Sequence, residues 1–331
     1  MQQPHVHYRF ADQVRSQADA LQGVLDSGSL ASQIHEAVEG LHRVHRIWLV
    51  GTGASLHAAE LGAAMLGEAG RAAQAVSSMH FVEWAPVVGP HDGVLVISHS
   101  GTTSYALSAR SQAFNAGLAV FTITREGSGL PGAIEPIAKE PSQTASVSYT
   151  AAVIAVAMLA GQMGAEAYGR AHLAEVPGAV RDALAAPQAD VLDPERLLVF
   201  TGSGPASVTA RAAALTFREA GRIPAEGFDV EALLHGNAAP LDARDTLVAL
   251  TAPDPGGLVE AVATAATAAG IRTTRIGGPS LSSPVLAQIP LIVRLQLAAS
   301  TLAAARDRDP DNVITGSWRD EGLWRIGAPP G

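Results

Sequence analysis

The chain has 331 residues, of which 47% are hydrophobic and 16% charged, with a formal net charge of −9. This is enough apolar material for two packed cores and argues against global disorder, while the acidic balance and the lack of any basic run argue against a nucleic-acid binder. Cysteine is absent, which removes disulfides, thiolate metal sites and cysteine nucleophiles together, and Lys139 is the only lysine.

Residues 1–44 read as a helical segment, with apolar positions at Val14, Ala18, Leu21, Leu25, Ile34, Val38 and Leu41. The first twenty residues have no apolar run of the kind a signal peptide carries. Residues 46–50 form a short apolar strand ending in Gly51-Thr52-Gly53-Ala54-Ser55, and a helix is expected over 58–66. The next strand, 93–97, runs into Ser98-His99-Ser100-Gly101-Thr102-Thr103-Ser104, followed by a helix over 105–116 and a strand over 118–124. The uncharged stretch 142–165 has an Ala-rich apolar centre too short to span a bilayer, so a buried helix is expected and no membrane segment. A cytoplasmic protein follows by elimination. Continuous apolar strands alternating with helices predict an α/β fold with a doubly wound, mostly parallel sheet flanked by helices.

The pattern recurs roughly 150 residues later. Residues 196–200 are a strand, Gly202-Ser203-Gly204-Pro205 the turn, 207–219 a helix, and 247–250 and 272–276 two further strands. The expected organisation is therefore an N-terminal helical segment (1–44), a first α/β domain (45–166), a helical connector (167–194), a second α/β domain (195–305) and a tail (306–331).

The two copies differ after their second strand. The first has five hydroxyls, an imidazole and a glycine between a buried strand and a helix. A phosphate needs such converging donors, preferably at a helix N-terminus where the dipole adds partial positive charge. The same residues also suit an ordinary Ser/Thr helix cap. The second copy reads Thr251-Ala252-Pro253-Asp254-Pro255-Gly256, in which prolines delete backbone donors and a carboxylate repels an anion. Only the first loop is suited to a phosphate. Gly51-Thr52-Gly53 lacks the third glycine of a dinucleotide fingerprint. His42 and His45 are one helical turn apart but lack a further ligand at metal-site spacing, so no metal is expected.

Gly53-Ala54-Ser55, the loop Ser98-His99-Ser100-Gly101-Thr102-Thr103 and the stretch 140–150 resemble the sugar isomerase (SIS) domain family. Together with Ala225-Glu226-Gly227-Phe228 and His235-Gly236, the double copy over 45–310 resembles the isomerase half of the glucosamine-6-phosphate synthase (glutamine–fructose-6-phosphate aminotransferase) family, without its glutaminase domain. The resemblance implies two tandem SIS domains and a hexose or hexosamine 6-phosphate as ligand. Its phosphate would be held by Ser55, Ser98, His99, Ser100 and Thr103, with His99 where glutamine is usual, and its sugar contacted by Gly53, Gln143 and Ala145.

Aldose–ketose interconversion needs a base that moves a proton between C1 and C2 and a group that opens the ring. The resemblance puts the base at Glu219, in Phe217-Arg218-Glu219, and the ring-opening acid/base at His235, in Leu234-His235-Gly236. It also implies a homodimer in which His235 acts across the interface, and no cofactor. Taken alone, Glu219 reads as a solvated surface carboxylate and His235 as a turn residue. Departures from the family concern lysines: the tail 306–331 has none, and Thr216 and Val147 stand where lysine is usual. The expected function is an isomerase or deaminase of hexosamine- or ketohexose-6-phosphates. The alternatives are a non-catalytic sugar-phosphate-binding regulator or a fructosamine-6-phosphate deglycase.

Overall fold

The structure is a computed structural model that describes residues 7–84, 88–186 and 192–329. Its first half runs α1 (Arg9–Asp26), α2 (Gly28–Leu41), β1 (Arg46–Gly51), α3 (Ala54–Glu68), β2 (Ala73–Ser77), α4 (Ser78–Glu83), β3 (Asp92–Ile97) and α5 (Ser104–Asn115). There follow β4 (Ala119–Arg125), β5 (Ala133–Ile137), α6 (Val147–Gln162), α7 (Arg170–Leu173) and α8 (Val176–Ala185). The second half runs β6 (Leu198–Gly202), α9 (Pro205–Gly221), β7 (Ala225–Asp229), α10 (Val230–Ala232) and β8 (Thr246–Leu250). It ends with α11 (Leu258–Ala268), β9 (Arg272–Ile276), α12 (Gln288–Ala305) and α13 (Glu321–Arg325).

The strands form two sheets, ordered β2-β1-β3-β4-β5 and β7-β6-β8-β9, and every neighbouring pair is parallel. The second sheet repeats the winding of the first four strands of the first. The likeness reaches the backbone of single residues. Gly53 and Gly204, each just before the helix that follows the first strand of its sheet, adopt φ/ψ of 54/−131° and 53/−128°. Only glycine takes that conformation without strain, so both turns require it.

By packing, the chain divides into two units, one of residues 19–140, 147–175 and 314–331 and the other of 1–18, 141–146 and 176–313. These borders depart from those expected along the sequence. The first half of α1 belongs with the second sheet's unit, because Asp311 accepts the N–H groups of Arg9 and Phe10 (2.8 and 2.9 Å) and Gln17 donates to Gln296 (2.7 Å). The predicted connector divides between α7 and α8, and the predicted tail divides at residue 313. The first strand of the second copy starts two residues later than expected.

In the first sheet's unit, one core contains Trp48, Val50, Phe81, Val94, Val96 and the alanines of α5. The Trp48 indole donates to buried Asp92 (2.9 Å), which satisfies both groups. The other face packs α3 and α6, and α6 is buried nearly all round. Gly62 permits that contact, since a Cβ there would lie 2.8 Å from Leu49 and 2.9 Å from Val156.

In the second sheet's unit, Val199, Val230, Leu233, Leu247, Ala249 and Val259 form one core. On the other face α9 and α12 pack closely, and Phe217 meets Phe200 with ring centroids 5.2 Å apart. Each of these fully buried rings contributes roughly 2–3 kcal/mol by leaving water. α12 is long and apolar enough by composition to cross a bilayer, but 72% of it is buried, with α8 and α9 as its partners.

Candidate functional site

An open parallel sheet binds ligands beyond the carboxyl ends of its strands, where successive connections leave in opposite directions. In the first sheet that point lies between β1 and β3, which pair with Val50 opposite Val96. The loops leaving it are residues 52–53, which lead into α3, and 98–103, which lead into α5. The structure thus brings Gly53, Ser55, Ser98, Ser100 and Thr103 to one edge of one sheet.

Ser98 is buried, and its N–H donates to the Ile123 carbonyl (3.0 Å). The hydroxyls of Ser98 and Ser100 lie 3.5 and 3.4 Å from that of Thr103, so three hydroxyls converge. Ser100 Oγ also accepts the Thr102 N–H (3.2 Å). Thr103 is the N-cap of α5, yet its side chain makes no capping bond. The first-turn N–H groups of α5 therefore have no side-chain cap and remain available to an anion. Ser104 is engaged elsewhere, since its hydroxyl donates to the Trp324 carbonyl, and Ser108 donates to that of Gly327 (2.6 Å).

His99 is differently placed from its neighbours. Its Nε2 accepts the Glu140 N–H (2.9 Å). Burial lowers the imidazole pKa below its ordinary value, opposed by Glu140 and assisted by Arg125 and Lys139. Glu140 was not singled out from the sequence. It is buried, and its carboxylate accepts the Val147 N–H (2.8 Å) and the Ser148 hydroxyl at the start of α6. The signal available for it was an acid shortly before a helix start, where the dipole favours negative charge.

Gln143, Ala145, Glu219 and His235 belong to the other unit. Ser142 and Thr144 are buried, with both hydroxyls donating to Pro310 O (3.1 and 2.8 Å). Between and after them in this bent segment, Gln143 is exposed and Ala145 half-buried.

Glu219 lies near the end of α9 and is half-buried, not solvated as its sequence context suggests. Burial pushes its carboxyl up to about 7, against a lowering by Arg218. Arg218 is itself directed to β7, donating to Ala225 O (2.9 Å).

His235 is exposed, in the turn Leu233–Asn237, where the backbone leaves helical geometry at His235 and at Gly236 (φ 107°). Its Nδ1 is 2.9 Å from Glu231 O. A carbonyl only accepts, so Nδ1 carries a proton, and Nε2 is left facing solvent.

In the second sheet the corresponding loop is occupied by the protein's own anion. Asp254 accepts the N–H groups of Val259 (3.2 Å) and Glu260 (3.0 Å), which lie in the first turn of α11. Beside it Ser203 donates to Pro253 O (2.8 Å).

Of the histidine pair considered for metal, His45 packs against His91 with ring centroids 5.0 Å apart. Among the described residues no group of three or more His, Asp or Glu could hold a metal ion. His5 lies outside the described residues. Two cavities of about 330 and 300 Å³, one walled by Leu25, Met158 and Tyr168 and the other by Thr251, Pro253 and Ser280, contain none of the candidate residues.

Residues 40–160 match the SIS domain family. Over 245 residues the chain is 28% identical to glutamine–fructose-6-phosphate aminotransferase (isomerizing) of Chlorobaculum tepidum, covering 67% of this chain and 39% of that protein. The chain therefore spans about two fifths of that relative's length. Its fold is similar to tagatose-6-phosphate ketose/aldose isomerase of Escherichia coli (TM-score 0.78, 17% identity, 92% of this chain and 95% of the other). It is also similar to glucosamine-6-phosphate deaminase of Thermotoga maritima (TM-score 0.74, 14% identity, 94% and 98%). At such identities the structures share a fold and do not select a reaction. The hydroxyl loop and the strands that present it lie inside the stretch that matches the SIS domain family.

Proposed function

We propose that this protein is an enzyme that binds a hexosamine or ketohexose 6-phosphate and isomerises or deaminates it by proton transfer between C1 and C2. The observation that carries this reading is the loop 98–103, with three converging hydroxyls before a helix N-terminus that has no side-chain cap. Ser55 adds a fourth hydroxyl from the neighbouring strand's helix, and Gly53, Gln143 and Ala145 are assigned to the sugar. The second sheet and its helices are the second SIS domain of a tandem pair, with its own phosphate position filled by Asp254.

Glu219 is the group that moves the proton. A carboxyl with a pKa near 7 is poised to accept and return a proton at neutral pH, where an ordinary carboxylate is too weak a base. His235, with Nε2 free and exposed, opens the sugar ring, acting across the interface of a homodimer. The Nδ1–H bond to Glu231 O holds the tautomer this role needs.

The test is a panel of sugar phosphates assayed by thermal shift and then by turnover, since a specific ligand raises apparent stability by mass action. Glucosamine 6-phosphate, fructose 6-phosphate with ammonia, and fructosamine 6-phosphates distinguish isomerase, deaminase and deglycase. If none shifts the melting curve, the phosphosugar reading fails.

A second reading, a sugar-phosphate sensor without catalysis, is favoured by the missing lysines. Thr216 stands at one of those positions, buried with its hydroxyl donating to Ala212 O (3.0 Å), and Val147 at another. Binding without turnover, unaltered by Glu219→Gln, would establish it.

A further inference from the structure

His99 stands among phosphate-binding hydroxyls, but its ring nitrogen is turned to a different task. An amide N–H only donates, so the Nε2 that accepts from Glu140 is unprotonated, and the ring is neutral with its proton on Nδ1. The backbone around it is also tied, because His99 O accepts the Arg125 N–H (3.1 Å). Glu140 continues the connection through its carboxylate, which bonds the Val147 N–H (2.8 Å) and the Ser148 hydroxyl. Between Glu140 and Val147 the chain makes the six-residue excursion 141–146, which packs with the other unit and carries Gln143 and Ala145. The entry to that excursion is thus held by His99, and its exit is held by Glu140.

We propose that His99 is a positioning residue and not a phosphate ligand: as a neutral acceptor it fixes the Glu140 peptide, and through it both feet of the 141–146 excursion, so that sugar-phosphate binding requires His99 unprotonated. The inference rests on the reading that the loop 98–103 takes the phosphate. A direct ligand and a positioning residue predict opposite responses to acid. An imidazolium touching the anion strengthens binding as pH falls. An imidazolium facing an N–H has lost its acceptor, leaves that donor unpaired, and weakens binding. The charged groups that face the ring are Glu140, which favours its protonation, and Arg125 and Lys139, which oppose it. Together with burial they place the change below the usual histidine range.

The experiment uses glucose 6-sulfate, whose charge is constant where a phosphomonoester titrates (second pKa about 6). Calorimetry with the full chain is expected to show affinity lost at about pH 5 relative to about pH 7.5, approaching about tenfold as His99 becomes protonated. His99→Gln supplies a non-titrating amide oxygen to the same N–H, so it should bind as the wild type does near pH 7.5 and keep that affinity in acid. His99→Leu should lose about tenfold at both pH values. Hydrogen exchange at the Glu140 amide reads the same contact without ligand: slow in the wild type and His99→Gln, about tenfold faster in His99→Leu. Affinity that rises in acid, a Glu140 amide that exchanges freely in the wild type, or His99→Gln no better than His99→Leu would each overturn the proposal. A protected Glu140 amide in a protein that binds neither glucose 6-sulfate nor fructose 6-phosphate would instead overturn the phosphosugar reading, and His99's part in binding with it.

Discussion

The loops 98–103 and 251–257 follow corresponding strands of two sheets with the same winding, and they treat the helix that comes next in opposite ways. Before α11, the carboxylate of Asp254 accepts two first-turn N–H groups, so the positive end of the helix is already neutralised. Before α5, Thr103 leaves the first turn without a side-chain cap, and the hydroxyls of Ser98, Ser100 and Thr103 face one another at 3.4–3.5 Å. A fold that could hold two anions has kept one place open and filled the other from within. The second sheet's unit instead carries the titratable Glu219. Under the proposed function, the two copies divide recognition from proton chemistry.

The largest effect that would sharpen this division is at Glu219. Glu219→Gln is expected to lower turnover by about a thousandfold while changing sugar-phosphate affinity less than about threefold, measured by steady-state kinetics beside calorimetry. In the wild type the rate should rise with pH through about 7, as Glu219 loses its proton. Equal losses of turnover and binding would place Glu219 in recognition and blur the contrast.

Next in size is the transfer of the second loop's device into the first. Thr103→Asp puts a carboxylate at the N-cap of α5 and should weaken fructose 6-phosphate binding by about a hundredfold or more, through like-charge repulsion and occupation of the N–H groups. Its stability in urea should stay equal or rise by up to about 1 kcal/mol. Undiminished binding would show that the anion does not sit at this helix.

A smaller effect concerns folding. The Glu219 carboxyl is raised in the folded state to about 7 from an ordinary value of 4.5. Between those values the unfolded chain has released a proton that the folded chain retains, so stability falls as pH rises across that window and stays lower above it. Glu219→Gln removes the dependence. It should be more stable than the wild type at about pH 8 by on the order of 2–3 kcal/mol, and near parity at about pH 4. Parallel urea curves at the two pH values would contradict the burial of this carboxyl.

The smallest effect lies in the second loop itself. Asp254→Ala removes the bonds to Val259 and Glu260 and should cost about 1 kcal/mol. It should create no phosphate site, because Pro253 and Pro255 contribute no N–H groups. Inorganic phosphate binding gained by this variant would break the comparison.

The central strands β1, β3 and β8 were legible because each is a mostly apolar run buried along nearly its whole length. β2, β5 and β7 escaped notice. They lie at the edges of their sheets, are short, and contain Gln74, Pro136 or Gly227, residues that an edge tolerates and a strand pattern does not announce. The repeat was legible too, down to Gly53 and Gly204, whose dihedral angles match.

The amino-acid sequence by itself determined the α/β class, the double copy and the hydroxyl loop, because apolar periodicity and side-chain chemistry are local properties of the chain. Tertiary structure alone decided which unit each segment joins, that Glu219 is half-buried, and that His99 answers to Glu140. Those outcomes depend on desolvation and on partners distant in sequence, 41 residues apart in the case of His99 and Glu140, and no local pattern encodes them.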